Sequence, residues 1–312
     1  MTKIKTEIFE GKVTTRTRML RTGSLLSSPG MLWLMAFMFL PMIGLCIMAF
    51  AARGMYGSVQ WTFSTENFWR LMGFGLFGWS ADTFLILVRS AALAIVTTAL
   101  CIIFSLPMAF WIASKNKANR NLLMALIMVP SCTNLVIRTY AWMLVLGAKM
   151  PPAWIAHWCG IVPADQGLYP GAFAVFIGMV SSMLPFAVLP LYSSVERLDW
   201  SLLEAARDLY ASSLSTFRHA ILPQVTPGIV AAVIMTLVPS LGMFVVSDLL
   251  GGAREMLIGN LIQQQFGSAS DWPYGAMAGL FLVVTSLLSL AAFRRWGGGL
   301  LPKAVRAEEG NS

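Results

Sequence analysis

Six long apolar runs, separated by polar segments, constrain this chain more than any other feature of its sequence. An apolar stretch of about 18 residues or more can cross the hydrocarbon core of a membrane as a helix. A helix is needed there because every backbone polar group must be paired within the segment. The predicted spans cover residues 31–52, 84–113, 122–146, 172–195, 228–250 and 274–293. We therefore predict an all-α integral membrane protein with about six transmembrane helices, surrounded by membrane lipid.

The composition agrees with a membrane protein and excludes several other classes. Of the 312 residues, 57% are hydrophobic and only 12% are charged, whereas soluble domains carry about 25% charged residues. The net charge of +8 does not indicate nucleic-acid binding, because the basic residues are scattered between the apolar runs. The four cysteines form no CxxC pair, and His157 and His219 are far apart. The sequence therefore predicts no metal site, no disulfide framework and no nucleic-acid partner.

The distribution of lysine and arginine predicts the orientation of the spans. Most of the 22 basic residues lie in the N-terminal segment, after the second and fourth spans, and in the C-terminal segment. Basic residues are enriched in cytoplasmic loops, so we expect both termini to be cytoplasmic. The predicted division is a basic cytoplasmic N-terminal segment over 1–30, a transmembrane domain over 31–296 and a cytoplasmic tail over 297–312. Because no cleavage pattern precedes the first span, we expect that span to remain as an anchor.

The polar segment between the fourth and fifth spans, residues 196–224, is long for a simple connection. Its apolar residues recur at helical spacing. They are Leu198, Leu202, Ala206 and Leu209. Ser201 and Glu204 match a capping box, and we expect a second short helix that Pro223 ends. Two short helices with one apolar stripe suit the groove of a partner protein, although a solvated loop without a partner has the same pattern.

The residue order of this segment resembles the EAA motif of ABC-importer permeases. The resemblance rests on Glu204-Ala205-Ala206, followed by Leu222-Pro223 and Pro227-Gly228. It implies that residues 196–224 form a cytoplasmic coupling loop, which contacts a separate ATPase and transmits its opening and closing. The implied coupling residues are Glu204, Ala205, Ala206, Asp208, Tyr210, Leu222 and Pro223.

Tyr210 departs from the pattern, because the family usually has glycine at this position. Glycine permits a sharp backbone turn there. We hypothesise that Tyr210 either keeps the first coupling helix continuous for longer or packs into the groove of the ATPase.

Other segments resemble one particular group of importer permeases, the B-type permease of spermidine/putrescine importers. These segments are Ile137-Arg138-Thr139-Tyr140-Ala141-Trp142, Leu184-Pro185-Phe186, Val246-Ser247-Asp248-Leu249-Leu250-Gly251-Gly252 and Asp271-Trp272-Pro273. The resemblance implies a type I ABC-importer permease fold in the bacterial inner membrane. It also implies a complex with a second homologous permease, an ATPase dimer and a periplasmic substrate-binding protein.

This chain has no phosphate-binding loop of the GxxxxGK[ST] type. We therefore expect it to be a transport subunit and not an enzyme. ATP and Mg²⁺ are expected on the ATPase subunits, with no cofactor in this chain.

Charged residues inside spans are functional candidates, because a charge in lipid is costly. At about 1.5 Å per residue, Arg138 and Asp248 are expected near the outer ends of their spans. Asp248 and Asp271 suit ammonium groups, and aromatic rings suit cation–π contacts. The substrate-path candidates are Arg138, Tyr140, Trp142, Phe244, Asp248, Asp271 and Trp272. Structural roles stay open for these charged residues. Arg138 and Asp248 could pair with each other, and Asp271 could cap the last helix.

Four functions stay open at this point. The leading prediction is a polyamine importer permease, and the second is an importer permease for another amine-bearing solute, such as an opine or an amino-acid-like compound. An ion-coupled secondary transporter is the third, although it calls for mid-depth carboxylates and an inverted repeat. A membrane scaffold with no transport role is the fourth, and it leaves the coupling loop unexplained. The coupling loop favours the importers, because an ion-coupled carrier has no use for it.

Overall fold

The computed structural model of the protein describes residues 28–54, 57–75, 78–79, 81–160, 162–163, 166–252 and 256–300. Five helices within these ranges are long and apolar enough to cross a membrane, and there are six if one bent pair of helices is counted as a single span. The predicted N-terminal segment over 1–30 and the tail over 297–312 lie largely outside the described residues.

Most of the described chain is helical. The helices are α1 (Ser28–Ala49), α2 (Glu66–Leu71), α3 (Asp82–Ala113), α4 (Lys117–Met128), α5 (Leu135–Val145), α6 (Pro151–Trp158), α7 (Ala172–Glu196), α8 (Ser201–Asp208), α9 (Ser213–Thr216), α10 (Leu222–Gly242), α11 (Val245–Leu250), α12 (Ile258–Phe266) and α13 (Trp272–Leu300). Two antiparallel hairpins pair β1 (Ala51–Arg53) with β2 (Val59–Phe63), and β3 (Phe74–Gly75) with β4 (Gly78–Trp79). The predicted spans at 31–52, 84–113, 172–195 and 274–293 correspond to α1, α3, α7 and α13.

Helices α3, α7 and α10 form the centre of the bundle, where small and aliphatic side chains are buried together. The close approach of α7 and α10 depends on Gly228, which is one residue of the EAA resemblance. A β-carbon at Gly228 would overlap the Ser194 side chain and lie 2.8 Å from the Pro190 carbonyl oxygen. The sequence Pro227-Gly228 therefore fixes how tightly the helix after the coupling loop packs on α7.

Substituting Gly228 with alanine should lower the stability of the folded chain by about 2 kcal/mol, because added atoms in a packed contact force backbone shifts. Gly44→Ala is the matched control, since Gly44 is also helical and a β-carbon there would meet nothing within 4 Å. Thermal unfolding of both variants in detergent measures the difference. A Gly228→Ala midpoint equal to that of Gly44→Ala would show that α7 and α10 do not need this close contact.

The third predicted span, 122–146, is wrong as a single straight helix. The helical segment Lys117–Cys132, which comprises α4 and a 3₁₀ turn, meets α5 at an angle of 94°. At the break, Thr133 Oγ1 donates to the Pro130 carbonyl at 2.7 Å. The Asn134 side chain accepts from the Val136 N–H at 2.8 Å and caps α5. Proline disrupts a helix and asparagine favours a new start, so the depth estimate for Arg138 on a straight helix is wrong.

The fifth predicted span, 228–250, also differs from the structure. Helix α10 ends at Gly242, and Asp248 lies on the separate short helix α11, so its estimated depth has no basis. Pro223 does not end a helix, because the chain is helical from Ser213 to Gly242. A π-helical turn over Phe217–Ile221 precedes Pro223, and this wider turn accommodates a residue that lacks a backbone N–H.

Candidate coupling loop and substrate path

The first coupling helix, α8, is anchored at its start by Asp199. The Asp199 carboxylate accepts hydrogen bonds from the Ser201 N–H at 3.0 Å and from the Ser201 hydroxyl at 2.7 Å. Both bonds stabilise the ionised carboxylate and so lower the pKa of Asp199, and the bond from the Ser201 side chain has the larger effect. The Asp199 N–H donates to Gln224 Oε1 at 3.1 Å, which ties the loop to α10. The predicted capping box is wrong, because Asp199 and not Ser201 holds the first turn.

The predicted coupling residues fall into two groups in the structure. Glu204, Ala205 and Asp208 are exposed on α8, whereas Ala206 is half-buried. Leu222 and Pro223 are half-buried in the first turn of α10. The acidic side chains of α8 are therefore accessible to a partner, and the Leu222-Pro223 pair belongs to the base of the loop.

Tyr210 ends the first coupling helix. Its φ angle is 55°, in the left-handed region, and the Ala211 N–H donates to the Ala206 carbonyl at 3.1 Å. This bond and this conformation form a Schellman motif, in which glycine usually occupies the left-handed position. The hypothesis that Tyr210 prolongs α8 is wrong, because the helix ends at Asp208. Tyr210 therefore makes a left-handed turn at the position where the resemblance implies glycine, and its packing on an ATPase stays a prediction.

The turn between the coupling helices exposes apolar side chains. Leu209 is 82% exposed, Tyr210 is 98% exposed and Leu214 is 76% exposed. The second coupling helix, α9, starts at a cap in which Ser212 Oγ accepts from the Ser215 N–H at 3.3 Å. The predicted second helix is therefore present, and it continues through the π-helical turn into α10.

The base of the coupling loop is held by Arg120, which the sequence reasoning missed. Its guanidinium donates to the carbonyls of Ala113 and, at 2.8 Å, Lys115, at the end of α3. It also pairs with Glu196 at the end of α7, at 3.3 Å. Arg120 thus joins the ends of two core helices where the coupling loop begins, through contacts that no local sequence signal reveals.

Asp248 lies in a polar cavity of about 340 Å³. Its carboxylate is exposed on α11. The other lining residues are Ser247, Met256, Asn260, Gln263, Gln264, Gly267 and Ser268. Asn260 donates to the Phe244 carbonyl at 3.3 Å and so fixes α12 against α11. One carboxylate among amides and hydroxyls can accept the hydrogen bonds of an ammonium group. Gln263 and Gln264 were missed, although the polar run in α12 was a signal.

Asp271 is a structural anchor in this conformation. It is 1% exposed, and one carboxylate oxygen pairs with Arg53 at 3.2 Å and with Arg70 at 3.0 Å. The other oxygen accepts from the Tyr274 N–H at 3.3 Å, and the Arg70 guanidinium lies 4.5 Å from the centre of the Tyr274 ring. The carboxylate is thus occupied by two cations and a backbone N–H, which favours the capping alternative over contact with a substrate.

Arg138 lies apart from Asp248, and the two residues do not pair. Its guanidinium donates to the Pro130 carbonyl at 3.0 Å across the helix break. It lines an apolar cavity of about 580 Å³ together with Trp142. The lining residues of the Asp248 cavity include none of the aromatic candidates. Tyr140 is exposed on α5. Phe244 is exposed next to the Asp248 cavity without lining it, since its carbonyl accepts from Asn260 and from the Asp248 N–H. Trp272 packs edge-on against Phe266. The predicted substrate path is therefore not assembled as one site in this chain alone.

The bundle of apolar helices and the polar double-helix segment between α7 and α10 are the features of an importer permease. A family model described as the inner membrane component of binding-protein-dependent transport systems matches residues 102–296. The chain belongs to this family. The match confirms the predicted all-α permease fold, the location in a bacterial inner membrane as a multi-pass protein, and the prediction of a transport subunit that is not an enzyme.

Two curated relatives belong to a narrower group of permeases within this family. The spermidine/putrescine transport system permease protein PotB of Escherichia coli (strain K12) is 38% identical over 276 residues, which are 88% of this chain and 98% of the relative. The protein of the same name from Haemophilus influenzae (strain ATCC 51907 / DSM 11121 / KW20 / Rd) is 34% identical over 278 residues, 88% of this chain and 94% of the relative. The predicted resemblance to spermidine/putrescine permeases is confirmed by these matches.

A solved structure shares the fold. It is the crystal structure of a bacterial ABC transporter involved in the import of the acidic polysaccharide alginate. The TM-score is 0.65 at 17% identity, and the match covers 90% of this chain and 96% of that chain. At this identity the likeness shows the fold alone.

Proposed function

We propose that this chain is a permease subunit of an ATP-driven importer whose substrates are polyamines of the spermidine and putrescine type. The substrate assignment rests on the similarity of the chain to spermidine/putrescine permeases and on one structural observation. The Asp248 carboxylate is exposed in a polar cavity, whereas Asp271 is occupied by two arginines. A polyamine carries several ammonium groups joined by alkyl segments, and an accessible carboxylate binds an ammonium group through charge-assisted hydrogen bonds.

The energy for transport comes from a separate ATPase dimer that docks on the coupling loop. Support comes from the exposed acidic residues of α8 and the exposed apolar turn that follows them. ATP and Mg²⁺ are bound by that dimer and not by this chain. This assignment places the coupling loop and both termini in the cytoplasm, in agreement with the distribution of basic residues. A periplasmic binding protein delivers the substrate to the opposite face.

A second, homologous permease completes the translocation path. The most hydrophobic stretch of α1 contributes no buried residue to this chain. Among the residues that the structure describes, α1 packs on the rest of the chain at its end, where Ala49 joins residues of α2, α12 and α13. The remaining length of α1 is available to lipid and to a second permease. The scattered arrangement of the substrate-path candidates also suits a path that two permeases enclose.

Asp248→Asn should raise the KM for spermidine uptake about tenfold, because one charge-assisted hydrogen bond is replaced by a neutral one. The measurement is uptake of labelled spermidine by the assembled complex in proteoliposomes. Glu66→Gln is the control, since Glu66 is also an exposed acid on a short helix outside the cavity. An unchanged KM in Asp248→Asn would remove this cavity from the path. Competition by another amine-bearing solute in place of spermidine would keep the importer and change its substrate.

A further inference from the structure

Tyr210 occupies a backbone conformation that its side chain disfavours. At a φ of 55° the β-carbon of any residue except glycine crowds the following carbonyl. The tyrosine ring gains little within this chain in return, because it is 98% exposed. Backbone strain of this kind persists where the position serves a function. Glycine makes the same Schellman turn without strain, so the turn itself does not explain the tyrosine.

The surroundings of Tyr210 indicate a protein contact. Leu209 and Leu214 are the two large apolar residues nearest to it along the turn, and both are largely exposed. Glu204 and Asp208, on the helix that leads into the turn, are exposed and acidic. Apolar side chains next to solvated charges are typical of interaction surfaces. Arg218, on the helical segment that leaves the turn, is also exposed, so the surface carries charges of both signs. A surface of mixed charge suits a protein partner better than a uniformly anionic lipid surface.

We propose that Tyr210 is the residue by which this permease recognises its own ATPase subunit. The left-handed turn projects the ring from the tip of the loop into an apolar pocket of the ATPase, and Leu209 and Leu214 cover the rim of that contact. The assignment rests on the proposed docking of the coupling loop on an ATPase and adds the residue that anchors this contact. Tyrosine is suited to this role because it is among the residues that most often dominate binding energy.

The proposal predicts opposite effects of one substitution on two measurements. Tyr210→Gly should weaken binding of the ATPase to the purified permease pair about 30-fold, the loss typical of a central aromatic anchor. The same variant should unfold at a temperature equal to or higher than that of the unmodified permease, because the strain is removed. A residue that only shapes the loop would instead bind as well or better after this substitution.

Three companion variants complete the experiment. Tyr210→Phe keeps the ring and should bind within about threefold of the unmodified protein, whereas Tyr210→Asn tolerates the left-handed turn without a ring and should lose as much as Tyr210→Gly. Trp158→Ala is the control, since Trp158 is also a highly exposed aromatic residue and lies outside the coupling loop. It should bind like the unmodified protein.

The outcomes separate the anchor from the proposed function. Binding by Tyr210→Gly that equals the unmodified protein, or a loss in Tyr210→Phe as large as in Tyr210→Gly, overturns the anchor while the ATPase still docks. The anchor is also overturned if Tyr210→Gly binds the ATPase normally but binds vesicles of anionic lipid more weakly than the unmodified protein does. That result would indicate a membrane contact. If the unmodified permease pair binds no ATPase at all, the proposed function itself fails.

Discussion

Glu204→Arg should lower ATP-driven uptake by about a hundredfold or more. Glu204 is exposed in the first turn of α8, on the helix that is proposed to dock on the ATPase. A carboxylate at such a contact faces a cation or a donor of the partner, and reversing its charge places like charges together at a cost of several kcal/mol. About 2.7 kcal/mol suffices for a hundredfold change. Uptake and ATP hydrolysis of the reconstituted complex measure the effect together.

Glu66→Arg is the matched control for this charge reversal. Glu66 is likewise an exposed glutamate in the first turn of a short helix. Both substitutions therefore lose the same favourable interaction with the helix dipole, about 0.3–1 kcal/mol. Only Glu204→Arg should stop uptake. Uptake that continues at the normal rate in Glu204→Arg would contradict the assignment of residues 196–224 as a coupling loop.

Asp271→Asn should lower the stability of the folded chain by about 2 kcal/mol. Asparagine caps a helix as well as aspartate does, so the hydrogen bond to the Tyr274 N–H can be kept. The substitution removes the charge that pairs with Arg53 and Arg70. Breaking a buried pair costs about 3–5 kcal/mol, and the partial exposure of both arginines reduces that figure.

Thermal unfolding of the purified protein tests this prediction, with Asp82→Asn as the control. Asp82 also lies in the first turn of a long membrane helix, α3, but its side chain is exposed. Asp82→Asn should leave the midpoint nearly unchanged. A midpoint for Asp271→Asn equal to that of Asp82→Asn would show that the two arginine contacts contribute little, and it would return Asp271 to the set of substrate-path candidates.

The long spans were predictable because lipid leaves the backbone few choices. Residues 84–113 and 172–195 are apolar throughout most of their length, and both form single helices. The break in the third span also had a local signal, since Pro130 and Asn134 disrupt one helix and begin another. Hydropathy alone ignores that signal, because the residues on both sides of the break are equally apolar.

Other features depended on contacts that are distant in sequence. Asp271 pairs with Arg53 and Arg70, which are 218 and 201 residues away in sequence. No local sequence pattern predicts these two ion pairs. The left-handed turn at Tyr210 was also not predictable, because tyrosine disfavours it. The residues of the EAA resemblance predicted short helices in segment 196–224, whereas the structure was needed to show that Tyr210 adopts a left-handed conformation between them.

The most direct test of the account is ATP hydrolysis by this permease, assembled in lipid with its second permease, ATPase and periplasmic binding protein. The account predicts that a binding protein loaded with spermidine or putrescine stimulates hydrolysis, that an unloaded one stimulates it less, and that Glu204→Arg abolishes the stimulation. Failure of the ATPase to assemble with the permeases would contradict the coupling assignment. Hydrolysis that polyamines leave unchanged, while another solute raises it, would contradict the substrate assignment.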